Sequence, residues 1–317
     1  MAERYHEGQS EEFKKGFQLA DRVKQIAKGH HLDGRVALER FVSESILWAL
    51  QEVSAVDFMT KGGLLHDQRL RPTGDADILY FSPRTANAIY TDVGRAATLL
   101  RKYGILWSPG EVKAMSMGGR GNGFRVPVFA KLGSTRVDTH LDISFGDLPA
   151  GAVRREFKSM FKGPSFMAWA QPIEAQAADK LAAIITLGMP NTRLKDYRDL
   201  YMLRFQGLDD SQIARHLHAT MRERRADMSL LLGIPAGLSF EYVDEHQWDW
   251  KAHNPGKPDF LTVVCSLRHW HSDIMGRFHD LAAADALEPH MTARSPSIEP
   301  SVGNVISMAA YRPRLRA

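Results

Sequence analysis

The stretch Phe58–Phe81, FMTKGGLLHDQRLRPTGDADILYF, decides the fold. Its pattern reads as a strand, a diglycine turn at Gly62-Gly63, a short helix, a polar turn through Thr73-Gly74, and a second strand opening with Asp75 and Asp77. Side chains alternate along a strand, so Asp75 and Asp77 project side by side while Ala76 and Ile78 point to the core. Two carboxylates on one face invite a hard divalent cation. Glycines at a turn that opens a helix present bare, oriented backbone N–H groups, which suits them to phosphate. Gly62 and Gly63 are therefore candidates to hold phosphates and Asp75 and Asp77 to hold metal, with Arg71 and Thr73 between them as further phosphate contacts.

Upstream, apolar residues at helical spacing predict two amphipathic helices over Gln9–Lys28 and Arg35–Val53, packed on a sheet. Downstream, Ser82-Pro83 ends the strand and Thr85–Tyr103 returns to helical spacing, with Gly104 as its stop. Strands are predicted over Ile105–Trp107, Phe124–Ala130 and Thr135–Phe145. The glycine-rich Met117–Phe124 lacks the helix that a phosphate loop should feed, and reads as a mobile hairpin turn. In VDTHLDISFGD, strand alternation puts Asp138, His140, Asp142 and Ser144 on one face.

From Gly163-Pro164 the composition turns helical, with a soft domain boundary near Met160. The helix Ile173–Leu187 is apolar on nearly every side after Asp179, apart from Lys180. A buried ammonium needs an anion, and either triphosphate or the nearby Asp196 and Asp199 could supply it.

The arrangement KGG…RLRPTGDAD resembles the nucleotidyltransferase superfamily of the DNA polymerase beta type, and more narrowly the AbiEii/AbiGii-like toxins of bacterial toxin–antitoxin systems. The strand around Asp142, the lysine in an apolar helix, and the following Arg193, Lys195, Asp196, Asp199 and Leu200 extend the likeness over Phe58–Leu203, with gaps. It implies an α+β fold: a nucleotidyltransferase-type mixed sheet flanked by helices over residues 1–160, then a helical C-terminal domain over 161–288 that completes the active site. It also implies that Asp142 is the third carboxylate, with Asp138 as runner-up, that Lys180 binds phosphate with Gly62, Gly63, Arg71 and Thr73, and that Asp199 is an essential acid. The implied catalytic set is Asp75, Asp77, Asp142, Lys180 and Asp199. Asp75, Asp77 and Asp142 would hold magnesium, or manganese in its place. A nucleoside triphosphate (NTP) is the implied substrate, RNA such as the tRNA 3′ end the acceptor, and a cognate antitoxin the partner. Many members carry Asp-Ile-Asp where this chain has Asp75-Ala76-Asp77, a change on the buried face that leaves the carboxylates in place. A small-molecule or protein acceptor, and a non-catalytic nucleotide- or partner-binding module, are the alternatives.

Of the 317 residues, 44% are hydrophobic and 25% charged, an ordinary globular balance with no apolar run long enough to span a membrane. A single cysteine, Cys265, excludes an intrachain disulfide and suits a cytoplasmic protein. The net charge of +4 permits contact with nucleic acid, and Arg215, His216, His218, Arg222, Arg224 and Arg225 crowd one segment. Trp248 and Trp250 read as part of a polar loop. Histidines 269, 271 and 279 fit no standard zinc spacing. Residues 289–317, rich in Ser and Pro, read as a disordered basic tail.

Overall fold

In the computed structural model, which describes residues 10–54, 57–66, 73–117 and 120–287, the first three helices begin where capping side chains start them. Ser10 accepts from the Phe13 amide to open α1 (Glu11–Gly29), and Asp33 accepts from Arg35 and Val36 to open α2 (Gly34–Val53). Thr85 does the same through Ala88 for α3 (Ala86–Arg101). Gly104, at φ +84°, follows that helix in the left-handed region, as a stop signal should.

The strands are β1 (Phe58–Lys61), β2 (Ala76–Tyr80), β3 (Leu106–Pro109), β4 (Lys113–Met117), β5 (Arg120–Leu132), β6 (Thr135–Phe145), β7 (Val153–Phe157) and β8 (Phe166–Ala170). They form one mixed sheet in the order β3-β5-β6-β2-β1-β8-β7, with β4 also paired to β5. Its centre is β2, antiparallel to β1 and parallel to β6. The glycine-rich Met117–Phe124 lies at the β4–β5 hairpin, with Gly118-Gly119 outside the described residues.

β8 runs parallel to β1, so the sheet continues to Ala170, past Met160. Neither β7 nor β8 shows in the sequence pattern. VRREF is an exposed strand at the end of the sheet order, and FMAWA has no β-branched residue to mark it.

One side of the sheet is the main core. Ile78, Val126, Leu141 and Ile143 pack there with Val23 of α1, Phe41, Ile46 and Leu50 of α2, and Ile89 and Val93 of α3. Burial of each such side chain contributes about 1.5–3 kcal/mol, which locks strand register because a one-residue slip would expose the whole row.

Helices α4 (Ile173–Leu187), α5 (Leu194–Leu203), α6 (Asp210–Glu223), α7 (Phe240–His253) and α8 (Phe260–Leu287) follow. The segment holding Trp248 and Trp250 is helix α7, not a loop. Ser239 caps it through the Tyr242 amide, and Tyr242, Val243 and Trp250 are buried while polar residues crowd the rest and mask the pattern. Trp250 donates to the Pro258 carbonyl, whereas Trp248 stays exposed. His271 on α8 is buried, and burial takes its pKa down to about 4.

Residues Met1–Phe278 form one compact unit and His279–Ala317 a second. The expected tail at 289–317 lies outside the described residues. No described helix is long and apolar enough to cross a membrane.

Candidate active site

The placement of Asp75 and Asp77 starts one residue earlier. The Gly74 carbonyl accepts from Ser43 Oγ of α2 and from Thr139 Oγ1 of β6, which ties the entry of β2 to both neighbours. A side chain at Gly74 would meet Glu39 Cβ at 2.4 Å, so the approach to α2 needs glycine.

From there the two aspartates emerge on the face opposite Ile78, both half-buried. Parallel register sets Asp77 beside Asp142. His140 stands between the remaining pair, with Nδ1 3.5 Å from Asp75 Oδ1 and Nε2 3.6 Å from Asp142 Oδ2. Burial raises the Asp77 pKa, and the charges of Asp142 and Asp75 raise it further, while Lys61 and Lys195 oppose the rise. Asp77 thus carries its charge against both burial and two neighbouring carboxylates.

The diglycine turn is a 3-10 turn, Gly62–Leu65, with Gly62 at φ +63°. A Cβ on Gly62 would lie 2.3 Å from Asp77 Oδ2, so the turn sits directly against the acid strand. Two helices hold it there. Arg40 of α2, buried and paired with Glu44 at 2.7 Å, donates to the Leu64 carbonyl; Gln176 of α4 donates to the Gly62 carbonyl at 2.7 Å. Gly63 is buried and Thr73 half-buried. Arg71 lies outside the described residues.

Beside the turn, Lys61 Nζ lies 3.7 Å from Asp179 Oδ2 of α4. Asp179 also accepts from Gln171 at 2.7 Å and Thr220 at 3.2 Å, and pairs with Arg224, the residue that caps the end of α6, at 3.5 Å. Burial alone would raise its pKa, yet Lys61, Arg224 and these hydrogen bonds hold it below the ordinary value.

Lys180, the next residue on α4, meets acids of α5. Its ammonium, largely covered, lies 2.8 Å from both Asp196 and Asp199 of α5, and both acids are buried. Arg193 adds a 2.7 Å bond to Asp196. The salt-bridge partner considered in the sequence is therefore present, and both acids share it. Lys195, next to Asp196 on α5, is close enough for its charge to act on Asp77.

Arg125 of β5 carries no signal in the sequence reading, yet it grips Asp142 at both oxygens, at 2.7 and 2.6 Å. A two-residue turn at Gly133-Ser134 could have revealed it. Leu132 pairs with Thr135, and seven residues along each strand Arg125 faces Asp142. Lys61, Asp179 and Gln176 are further contributors whose part depends on how α4 packs, which no local pattern announces.

Carboxylate oxygens are the donors that hard divalent ions take, and a cation would relieve the crowding at Asp77, so the residues fit such an ion. Among the described residues no group of three His, Cys, Asp or Glu side chains is arranged to hold a metal as it stands, and Asp142 is turned to Arg125.

A family model, the nucleotidyl transferase AbiEii toxin of type IV toxin–antitoxin systems, matches residues 55–292. The chain belongs to the AbiEii family. It is thus a nucleotidyltransferase of a toxin family, which implies an NTP substrate and an antitoxin partner. Similar solved structures include JHP933 from Helicobacter pylori, at 15% identity and TM-score 0.45, covering 78% of this chain and 97% of that one. Another is MenT4, a nucleotidyltransferase toxin from Mycobacterium tuberculosis H37Rv, at 18% identity and TM-score 0.44, covering 80% and 87%. A third, from H. pylori and described as a putative nucleotidyltransferase, has 16% identity and TM-score 0.46, covering 76% and 97%. No curated protein matches by sequence.

Proposed function

We propose that this chain transfers a nucleoside monophosphate from an NTP to a hydroxyl of RNA, such as the tRNA 3′ end, in the cytoplasm, and that a cognate antitoxin restrains it. The observation that carries this reading is the packing of the Gly62-Gly63 turn against Asp77, with Asp142 in register beside it and Asp75 one step along the strand. Asp75, Asp77 and Asp142 would hold magnesium, which when bound offsets charge on the attacking and leaving oxygens. Gly62, Gly63 and Thr73, with Arg71, would hold the phosphates, and Lys61 and Lys195 add positive charge beside them.

The acceptor oxygen forms a bond to the α-phosphorus as the bond from that phosphorus to the pyrophosphate oxygen breaks. In this reading Asp142, once released by Arg125, takes the proton the acceptor gives up. In the same reading Asp196 and Asp199 orient Lys180 toward the phosphates and hold α4 to α5.

RNA is favoured as acceptor because Arg215, Arg222 and Arg225 lie exposed on or just after α6, the helix whose Thr220 and capping Arg224 meet Asp179 and, through it, Lys61. A polyanion could follow this basic helix to the site. The test is incubation with each of the four α-labelled NTPs, magnesium and total bacterial RNA. Label in a nuclease-sensitive band of tRNA size supports the reading and names the base. Label confined to protein or to a small molecule overturns the RNA acceptor.

A further inference from the structure

Four register-matched side chains cross the sheet in one line: Arg125 on β5, Asp142 on β6, Asp77 on β2 and Lys61 on β1. The charges run positive, negative, negative, positive, so the row is balanced by the protein's own groups. The two ends are built differently. Lys61 is tethered behind by Asp179 at 3.7 Å and remains 21% exposed. Arg125 is 46% exposed and spends both arms of its fork on Asp142, which is only 17% exposed.

A planar guanidinium matches a carboxylate in this two-pronged way better than any other side chain, and it makes the same fork with phosphate. Asp142 is fixed in a strand whose neighbours are buried, so it stays where it is. The arginine, half in water, can be withdrawn at small cost.

We infer that Arg125 is the resident cation of the third carboxylate: it lowers the affinity of the site for a bare divalent metal and yields Asp142 when a nucleotide arrives. An incoming metal must displace or share the guanidinium to reach Asp142, so metal alone binds weakly. A triphosphate changes the balance, because its oxygens offer Arg125 another partner as the metal takes its place. Metal and nucleotide then load together. Arg125 is in this sense a positioning residue, acting through Asp142. The inference rests on the reading of Asp75, Asp77 and Asp142 as the metal site.

The experiment is a Mn2+ titration of the full-length protein without nucleotide, with free Mn2+ read by electron spin resonance. Arg125→Gln, which drops the charge, should bind Mn2+ about five- to tenfold more tightly than the unaltered protein, since one competing cation close to the site is gone. Arg125→Lys, which keeps the charge without the fork, should stay nearer the unaltered affinity. A merely structural arginine predicts the reverse, a weaker Mn2+ site in Arg125→Gln. Equal or weaker binding in that variant overturns the inference, as does an Arg125→Lys protein that binds as tightly as Arg125→Gln. Asp77→Asn separates the two levels of argument. If it binds Mn2+ like the unaltered protein, the metal-site reading itself fails. If it loses Mn2+ while Arg125→Gln gains nothing, the Arg125 role alone fails.

Discussion

Two clusters of charged side chains lie in this protein, and they differ in what surrounds them. The strand-built cluster of Asp75, Asp77 and Asp142 is half-open to solvent and crowded with like charge. The helix-built cluster of Lys180, Asp196 and Asp199 is closed off, with exposures of 11%, 0% and 1%, and its ammonium meets both acids at 2.8 Å. Partners in water can be exchanged at little cost, whereas a buried pair cannot be parted without stranding a charge. The first cluster is therefore suited to taking up and releasing a cation. The second is suited to holding two helices in one relation.

The largest effect that could break this contrast is on turnover. Asp77→Ala should lower the rate of nucleotidyl transfer by about a thousandfold or more, since positioning and charge stabilisation carry most of such a reaction, while the melting temperature hardly falls. A variant that melts early but retains its rate would assign Asp77 to the fold instead. Asp196→Ala should behave in the opposite way and cost about 3–5 kcal/mol of unfolding free energy in urea, because Lys180 and Arg193 lose a buried counter-charge. If it costs no more than Asp142→Ala, the distinction between open and closed clusters disappears.

Asp179 stands between the two and sharpens the comparison through pH. Its carboxyl is held below the ordinary value of 3.8, so the stability it adds is present above that value and is lost as the pH falls through its folded value. Asp179→Asn should cost about 1.5–3 kcal/mol at neutral pH, with the gap to the unaltered protein closing as the solution is acidified below 3.8. A gap that is constant with pH would mean that packing, not charge, is what Asp179 provides. The smallest expected effect is in the core beneath the acids: Ile143→Val should cost about 0.5–1.5 kcal/mol in the same urea titration and leave turnover within about twofold.

These contrasts were unevenly legible in the sequence. The helices at the front announce their starts with Ser10, Asp33 and Thr85, and the alternation around Asp77 and Asp142 shows which face each carboxylate takes. Such signals are local, and local physics is what sequence spacing records. Lys180 could be seen to need an anion, and Asp196 and Asp199 were candidates, but that both meet it together depends on the packing of α4 against α5. Arg125 was hidden because its meaning lies in register, set by a hairpin turn seven residues away. Trp250 was misread for another reason. Its segment is polar on most sides, so the buried side of α7 left too faint a period.

The pinning of the Gly74 carbonyl by Ser43 and Thr139 has a consequence for the time at which the acids can come together. The aspartates next to Gly74 take their places only when a helix made before them and a strand made after them are both present. While β6 is still inside the ribosome, the acid strand has neither its anchor nor its third carboxylate. The lysine helix in turn lacks its counter-charges until Asp199 has emerged. Synthesis itself is then a delay line, and the proposed site cannot assemble until most of the sheet and the α4–α5 pair have been made.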